Sequence, residues 1–215
     1  YDEFINLMKL EGGVLLNNSY KKLLEKILWT QGKLNRNLIA KSAIKIANEI
    51  KLNLDTKDNV KFLMVEENGV GPKYLFSGEK LSPVLTVYKA DDFNHAKSIS
   101  NEILNYQGIG HSIGIHTNKN ERIMQLGLDL PVCRVIVNQA HAFATGGSFT
   151  NGLPFSLSMG CGTWQKNTID NNLNYKHFIN TTKISTTIKG SEPKLKDFFE
   201  EYCQKYHNEE IKNLD

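Results

Sequence analysis

The cysteines of this 215-residue sequence have side chains that could take part in covalent chemistry. Cys161 lies between two glycines, a setting in which a thiolate can act as a nucleophile. No base is recognisable beside it in the sequence, so a thiol that packs within a loop is the favoured interpretation. With Cys133 and Cys203 the sequence has three cysteines, an odd number, and their spacing matches no zinc or thioredoxin motif. Reduced thiols in a cytoplasmic protein are therefore expected.

Two further side chains, those of His111 and Arg134, can carry a positive charge and therefore need a hydrogen-bonding or charged partner. His111 follows Gly110 at the start of a predicted strand, so its imidazole either points into a cleft or is buried against a backbone carbonyl. His116 would point to the opposite face of the same strand, which makes the two histidines a poor metal site. Arg134 interrupts the apolar run VCRVIV. A structural salt bridge is its expected partner, and binding of an acidic substrate is the alternative.

Alternating strands and helices must position these residues. Continuous apolar runs predict strands at 60–65 and 84–88 that are covered on both faces, and further strands are predicted at 112–117 and 132–137. Helical periodicity is found at 20–28, 39–50, 91–108 and 122–128. Strands that alternate with helices of this length indicate an α/β fold with a mostly parallel sheet and flanking helices.

Two later segments depart from this pattern. Residues 139–163 replace apolar periodicity with Gly and Ser, and an ordered loop of this length is usually functional. Residues 178–188 alternate apolar residues with Thr, Ser and Lys, which is typical of an edge strand that can pair with another chain. A helical stripe from Leu195 to Tyr206 predicts a helix in the tail.

Composition narrows the class of protein. Hydrophobic residues make up 40% and charged residues 23% of the chain, as in ordinary globular proteins. No apolar run is long enough to span a membrane. The net charge of +3 is spread along the chain, and few arginines accompany the lysines, so neither a membrane nor a nucleic acid is an expected partner.

Three segments, taken together, resemble the CoA-acylating aldehyde dehydrogenases. They are residues 79–83 (EKLSP) ahead of a strand, residues 108–112 (GIGHS) at the end of a helix, and the block from Pro131 to Asn167. Their order and spacing resemble those of the succinate-semialdehyde, sulfoacetaldehyde and acetaldehyde enzymes, and the similarity extends from Tyr1 to about Ile188. The resemblance implies an aldehyde-dehydrogenase-type catalytic domain.

The resemblance implies NAD or NADP as cofactor and coenzyme A as co-substrate. In this family a cysteine thiolate attacks the aldehyde, the thiohemiacetal passes hydride to the nicotinamide, and the resulting thioester gives its acyl group to CoA. The family's cysteine and cofactor domain correspond to segments upstream of Tyr1, so the isolated chain is expected to be inactive. The block that begins at residue 132 is closer to members that act on acid-bearing aldehydes such as succinic semialdehyde.

The resemblance also implies roles for individual residues. Glu79 matches the glutamate that accepts hydrogen bonds from the nicotinamide ribose, and Pro83 belongs to the same cofactor motif. His111 is placed near the cysteine as the catalytic residue of this chain, where it orients CoA or relays a proton. The expected substrate contacts are Arg134, Cys161 and Thr163. The family often has Gly-Gly after the tryptophan, where this chain has Gln165-Lys166.

The predicted organisation has three parts: an incomplete catalytic domain over residues 1–178, an oligomerisation strand over 179–190 and a helical tail over 191–215. The family oligomerises by adding a strand to a neighbour's sheet, and residues 180–188 have that character, so a homodimer or higher homo-oligomer is expected. Three rival interpretations remain. They are a non-catalytic assembly module of the same fold, a histidinol-dehydrogenase-like enzyme, which the GCGTW block disfavours, and a nucleic-acid-binding domain, which the scattered charge disfavours.

Overall fold

The computed structural model describes residues 1–53, 59–190 and 192–206. The chain divides into two compact units, residues 1–178 and 179–215. In chain order the helices and strands are α1 (Asp2–Leu10), β1 (Gly13–Leu15), α2 (Asn18–Leu28), β2 (Trp29–Thr30), β3 (Lys33–Leu34), α3 (Ala43–Glu49), β4 (Phe62–Glu66), β5 (Val84–Val87), α4 (Phe93–Tyr106), β6 (Ile113–Ile115), α5 (Asn120–Asp129), β7 (Val135–Val137), α6 (His141–Ala144) and α7 (Leu195–Tyr206). No helix of the described residues is both long and apolar enough to cross a membrane.

A three-stranded parallel sheet forms the core of the first unit, in the order β1-β4-β5. In β4, Leu63 and Val65 belong to one hydrophobic cluster and Met64 to a second one, because successive side chains point to opposite faces. All three residues are fully buried. The apolar run at 60–65 is therefore a strand covered on both faces, as predicted.

A second, two-stranded parallel sheet pairs β6 with β7, and Ile113 lies opposite Val135. Within the described residues it shares no hydrogen-bonded strand with the first sheet. The prediction of an α/β fold with parallel strands and flanking helices is confirmed, but the strands form two sheets rather than one. The physical reason is that β6 and β7 pack on a hydrophobic cluster of their own, around Leu104, Leu126 and Leu130, which contains no residue of the first sheet.

The β2–β3 hairpin turns through Gln31 and Gly32, with φ angles of 53° and 73°. Two successive residues with positive φ are the signature of the type I′ turn, whose twist matches that of paired strands. The rings of Trp29 and buried Phe76 form a T-shaped contact with centroids 5.0 Å apart. This contact holds the hairpin against the body of the unit.

The helix predicted at 39–50 begins only at Ala43. Ala40 has a φ of 56°, which a right-handed helix excludes, and the Ser42 hydroxyl accepts the N–H of Lys45 as an N-cap. The helix predicted from Asp91 is α4, and the Asp92 carboxylate caps it by accepting the N–H of His95.

The second unit contains α7 but no strand among its described residues. Residues 180–188, predicted to be an oligomerisation strand, are not part of any sheet in this single chain. A strand needs a neighbour for its backbone hydrogen bonds, and none of the described strands pairs with this segment. The role of the segment in assembly stays a prediction. Residues 191 and 207–215 of the predicted tail lie outside the described residues.

Candidate functional site

A cleft of about 690 Å³ opens between the β2–β3 hairpin and the C-terminal end of α4. Its volume lies within the range of roughly 300–1,000 Å³ that is typical of small-molecule sites. Glu79 and His111, which are far apart in the sequence, both line it. The remaining lining residues are Trp29, Gly32, Leu34, Leu75, Gly78, Ile103, Leu104, Tyr106, Gln107, Gly108 and Ser112.

Gln107, at the end of α4, positions the backbone of Glu79. Its Oε1 accepts the Glu79 N–H at 3.0 Å, and a Cβ on Gly78 would lie only 2.5 Å from the same oxygen. Glycine at 78 therefore allows the close approach of this loop to α4. The Glu79 carboxylate itself is exposed and forms no hydrogen bond or ion pair with the described residues. Both of its oxygens remain available to a ligand in the cleft.

Lys80 lies next to Glu79 but turns inward. Its ammonium group donates to the carbonyl oxygens of Phe76 and Gly78, each at 2.8 Å. Burial lowers the pKa of Lys80 from 10.5 to about 8, and the charge of Glu79 offsets only part of that effect. Lys80 thus binds carbonyl groups at the C-terminal end of the short 3-10 helix Leu75–Ser77, which leads into the Gly78–Glu79 loop.

The lowered pKa of Lys80 predicts how stability depends on pH. Between about pH 8 and 10.5 the unfolded chain binds more protons at this lysine than the native chain, so the free energy of unfolding should increase with pH across that window. The increase should be on the order of 2 kcal/mol. Urea unfolding of the chain at intervals from pH 7 to pH 10 measures this increase. In Lys80→Met the free energy of unfolding should not show it.

A second ionisable group, Tyr88, should change the stability in the opposite direction at higher pH. Burial raises the pKa of Tyr88 to about 12, so above pH 10 the native chain retains a proton that the unfolded chain loses, and stability should then decrease. If Lys80→Met follows the same pH profile as the wild type below pH 10, the pKa of Lys80 is not lowered in the native chain.

His111 is positioned by a close contact between two loops. Gly110 has a φ of 83°, and a Cβ there would lie 2.6 Å from the Cβ of Trp164 and 2.8 Å from that of Cys161. The Gly110 N–H also donates to the Pro131 carbonyl at 2.6 Å. Only glycine allows this packing, which explains the residue before His111 and fixes the backbone from which the imidazole projects.

Ser112 and His141 extend the polar environment of His111. His111 Nδ1 lies 2.6 Å from Ser112 Oγ, and Ser112 Oγ lies 2.9 Å from Nε2 of His141, the first residue of α6. Burial, together with the neighbouring His111, lowers the pKa of His141. His111 is exposed and lines the cleft, so of the two alternatives left open by the sequence, burial against a backbone carbonyl is wrong.

Arg134 braces the glycine-rich loop. Its side chain is only 5% exposed, and Nε donates to Asn172 Oδ1 at 2.9 Å. Its two terminal nitrogens donate to the carbonyls of Gly160 at 3.0 Å and His111 at 3.4 Å. The expected salt bridge is wrong within the described residues, because the partners are neutral oxygens. The burial of the guanidinium also argues against contact with a substrate.

Asn172 completes this arrangement and was not anticipated from the sequence. It is fully buried, and its side-chain amide donates to the carbonyls of Thr145 and Pro154 at 2.8 Å each. Together with Arg134 it ties β7, the loop after α6 and the segment around Gly160 to one another. Thr145 is itself buried and donates to the His141 carbonyl.

The other predicted site residues lie away from the cleft walls. Thr163, in the 3-10 helix Gly162–Gln165, lines a separate cavity of about 500 Å³ with Cys133 and Asp170. Cys161 packs on Gly110 and is absent from the linings of both cavities. Pro83 is also absent from the cleft lining; its carbonyl accepts the Leu63 N–H at 2.9 Å, next to the β4–β5 ladder.

The departure from Gly-Gly at 165–166 has a structural consequence. Lys166 adopts the left-handed conformation, with φ of 58° and ψ of 37°, which glycine adopts at the least cost. Gln165 donates from Nε2 to the Ile109 carbonyl at 3.0 Å, so the changed residue anchors this loop to the turn before His111.

The fold and the sequence both match known proteins. The chain is 45% identical over 202 residues to the sulfoacetaldehyde dehydrogenase (acylating) of Cupriavidus necator, and 38% identical over 157 residues to the succinate-semialdehyde dehydrogenase (acetylating) of Clostridium kluyveri. These alignments cover 94% and 73% of this chain but only 41% and 34% of the relatives. No protein-family model matches the chain.

The fold of the chain is also similar to that of a solved structure. The acetylating aldehyde dehydrogenase of Geobacillus thermoglucosidasius superimposes with a TM-score of 0.80 at 29% identity, over 90% of this chain and 42% of that one. The chain thus spans about two fifths of the length of the proteins that it matches. On the similarity of sequence and fold, the chain belongs to the CoA-acylating aldehyde dehydrogenase family, as a partial homologue of its members.

Proposed function

We propose that this chain forms one wall of the active site of an NAD(P)-dependent, CoA-acylating aldehyde dehydrogenase. The observation that carries the proposal is that Glu79 and His111, the residues matched to cofactor binding and to catalysis, line one cleft. The exposed Glu79 carboxylate can accept two hydroxyl protons of a ribose. His111 presents an imidazole to the same space. A bound nicotinamide would supply the hydride acceptor, and coenzyme A would take the acyl group.

The proposed substrate is an acid-bearing aldehyde, of the kind named for the Cupriavidus and Clostridium relatives. Arg134 is not part of this proposal, because its guanidinium is buried and already donates to three oxygens. The anionic end of the substrate must then be bound by other groups. We expect the isolated chain to show no CoA-dependent aldehyde oxidation, because the family's nucleophilic cysteine matches none of its residues.

A chimera tests the proposed function directly. The matching segment of the Cupriavidus necator enzyme is replaced by this chain, and reduction of NAD or NADP is followed with sulfoacetaldehyde, succinic semialdehyde and butanal in the presence of CoA. CoA-dependent turnover that favours the acidic aldehydes is expected. A correctly folded chimera that binds CoA and cofactor but turns over none of the three would contradict the proposal, and turnover by the isolated chain that Cys161→Ser abolishes would overturn the placement of the nucleophile.

Glu79→Gln in the chimera should weaken the productive binding of the cofactor. The amide has one acceptor oxygen where the carboxylate has two, and loss of a hydrogen bond to a charged group costs about 1.5–3 kcal/mol. The expected result is a decrease of kcat/KM for the cofactor of roughly tenfold to a hundredfold. Glu102→Gln, on α4, is the matched control. Unchanged kinetics in Glu79→Gln would make Glu79 a structural residue.

A non-catalytic assembly role is the second candidate, and it rests on residues 180–188. Their backbone groups take part in no described sheet, so a neighbouring chain could pair with them. Ser185→Pro removes one backbone donor and should weaken the oligomer several-fold. Light scattering at tens of micromolar compares it with the wild type, and a monomeric wild type would remove the support for pairing.

A further inference from the structure

The orientation of the Gln107 side-chain amide follows from its contact with Glu79. The Glu79 N–H is a donor, so the atom of Gln107 that lies 3.0 Å from it must be the carbonyl oxygen Oε1. The distances from Gly78 agree, because a Cβ on Gly78 would lie 2.5 Å from Oε1 but 3.4 Å from Nε2. The oxygen therefore faces the backbone of residues 78 and 79, and the nitrogen lies farther from that backbone.

The Nε2 group of Gln107 keeps both of its N–H donors. None of the hydrogen bonds among the described residues has this nitrogen as its donor, although the oxygen of the same amide accepts from Glu79. Gln107 is exposed and lines the same cleft as Glu79. The Glu79 carboxylate can only accept hydrogen bonds. The cleft thus contains an unused pair of donors on Gln107 and an unused pair of acceptors on Glu79, on residues whose positions are linked.

A donor and an acceptor that are held together favour one kind of ligand group. An alcohol hydroxyl has one proton to donate and two lone pairs with which to accept. A hydroxyl that donates to the Glu79 carboxylate can therefore also accept from a Gln107 N–H, and hydrogen bonds in series strengthen one another. A carbonyl oxygen cannot donate to Glu79, and an ammonium group cannot accept from Gln107. The pair is therefore suited to a hydroxyl.

We propose that Gln107 is a cofactor-binding residue that acts together with Glu79. Its Oε1 holds the Glu79 backbone against the end of α4, and its Nε2 donates to the ribose hydroxyl whose proton the Glu79 carboxylate accepts. The assignment of that hydroxyl to the ribose of a nicotinamide cofactor rests on the proposed function, whereas the hold on the Glu79 backbone does not. Because one amide makes both contacts, displacement of Gln107 removes the donor and loosens Glu79 at the same time.

Hydrogen exchange of the Glu79 amide, followed by nuclear magnetic resonance of the 215-residue chain, tests the hold on the backbone. Gln107→Met keeps the length of the side chain but has no acceptor oxygen, so it should increase the exchange rate several-fold. Gln107→Glu keeps an acceptor oxygen and should leave the rate close to that of the wild type. Gln107 is exposed, so neither substitution removes core packing.

A pair of glycine variants displaces the amide without changing Gln107 itself. Gly78→Ala places a Cβ 2.5 Å from Oε1, so it should push the amide away and increase the exchange rate of Glu79 as Gln107→Met does. Gly127→Ala is the matched control, because its added Cβ would meet only Val135, at 3.9 Å. It should leave the exchange rate unchanged.

Cofactor binding by the chimera tests the donor. Fluorescence titration gives the dissociation constants of NADH and NADPH and of analogues that each lack one hydroxyl of the nicotinamide ribose. Removal of the proposed hydroxyl should weaken binding less in Gln107→Glu than in the unsubstituted chimera, by roughly threefold to tenfold, which is the size of one hydrogen bond. The added negative charge acts on the natural and the deoxy cofactor alike, so it cancels in this ratio.

Two results would overturn the proposal: an exchange rate of the Glu79 amide that Gln107→Met leaves unchanged, or ratios for the deoxy analogues that are the same with and without Gln107→Glu. A chimera that binds neither cofactor would overturn it as well. A chimera that binds the cofactor with the expected ratios but oxidises no aldehyde would contradict the proposed function alone, so the two failures are distinguishable.

Discussion

Replacement of His111 by alanine in the chimera should decrease kcat/KM for CoA by about 10²–10⁴-fold, the usual contribution of a positioned acid–base group. His111 lines the cleft together with Glu79, and its Nδ1 is engaged by Ser112, so its other ring nitrogen is the one available for the reaction. The loss should appear mainly in kcat, because the imidazole is expected to act on the reacting groups rather than to hold the CoA nucleotide.

His116→Ala is the matched control, since His116 is an exposed histidine at the other end of β6 and does not line the cleft. It should leave kcat/KM within about twofold of the starting value, as surface substitutions far from a site usually do. Equal losses in the two variants would show that removal of a histidine perturbs this region as a whole. Loss in neither variant would remove His111 from the catalytic machinery.

The largest effect on stability is expected for Arg134→Met, at about 3 kcal/mol of unfolding free energy. The substitution keeps an apolar stem of similar length but removes the donors to Asn172 Oδ1 and the Gly160 carbonyl, which lie in a buried environment. Those oxygens would lose their partner without gaining water, and an unsatisfied buried polar group carries its full desolvation penalty. Urea unfolding of the 215-residue chain measures the change.

Two comparisons make this result specific. Arg36→Met removes an exposed arginine and should alter stability by no more than about 0.5 kcal/mol. The double variant Arg134→Met, Asn172→Leu should lose less than the sum of the two single variants, because the interaction between them can be lost only once. Additive losses would mean that Arg134 and Asn172 act independently, and a neutral Arg134→Met would show that the brace does not stabilise the loop.

The sequence by itself determined the secondary structure class and the family. Apolar runs such as Val60–Val65 predict buried strands because a strand covered on both faces has no polar side, and β4 occupies Phe62–Glu66. The order and spacing of residues 79–83, 108–112 and 131–167 carried the resemblance that the relatives confirm. Each strand and each motif can be recognised from a few neighbouring residues, and their order can be read along the chain.

Only the tertiary structure decided which of the candidate residues share a site. Arg134, Cys161 and Thr163 were grouped by their motifs, yet Arg134 is buried in the loop and Thr163 lines a different cavity from Glu79 and His111. The partners Ser112, His141 and Asn172 had no signal of their own, because a serine, a histidine or an asparagine is common in any sequence. Hydrogen bonds between residues distant in the chain depend on how loops cross in space, and the local periodicity of a sequence does not record that crossing.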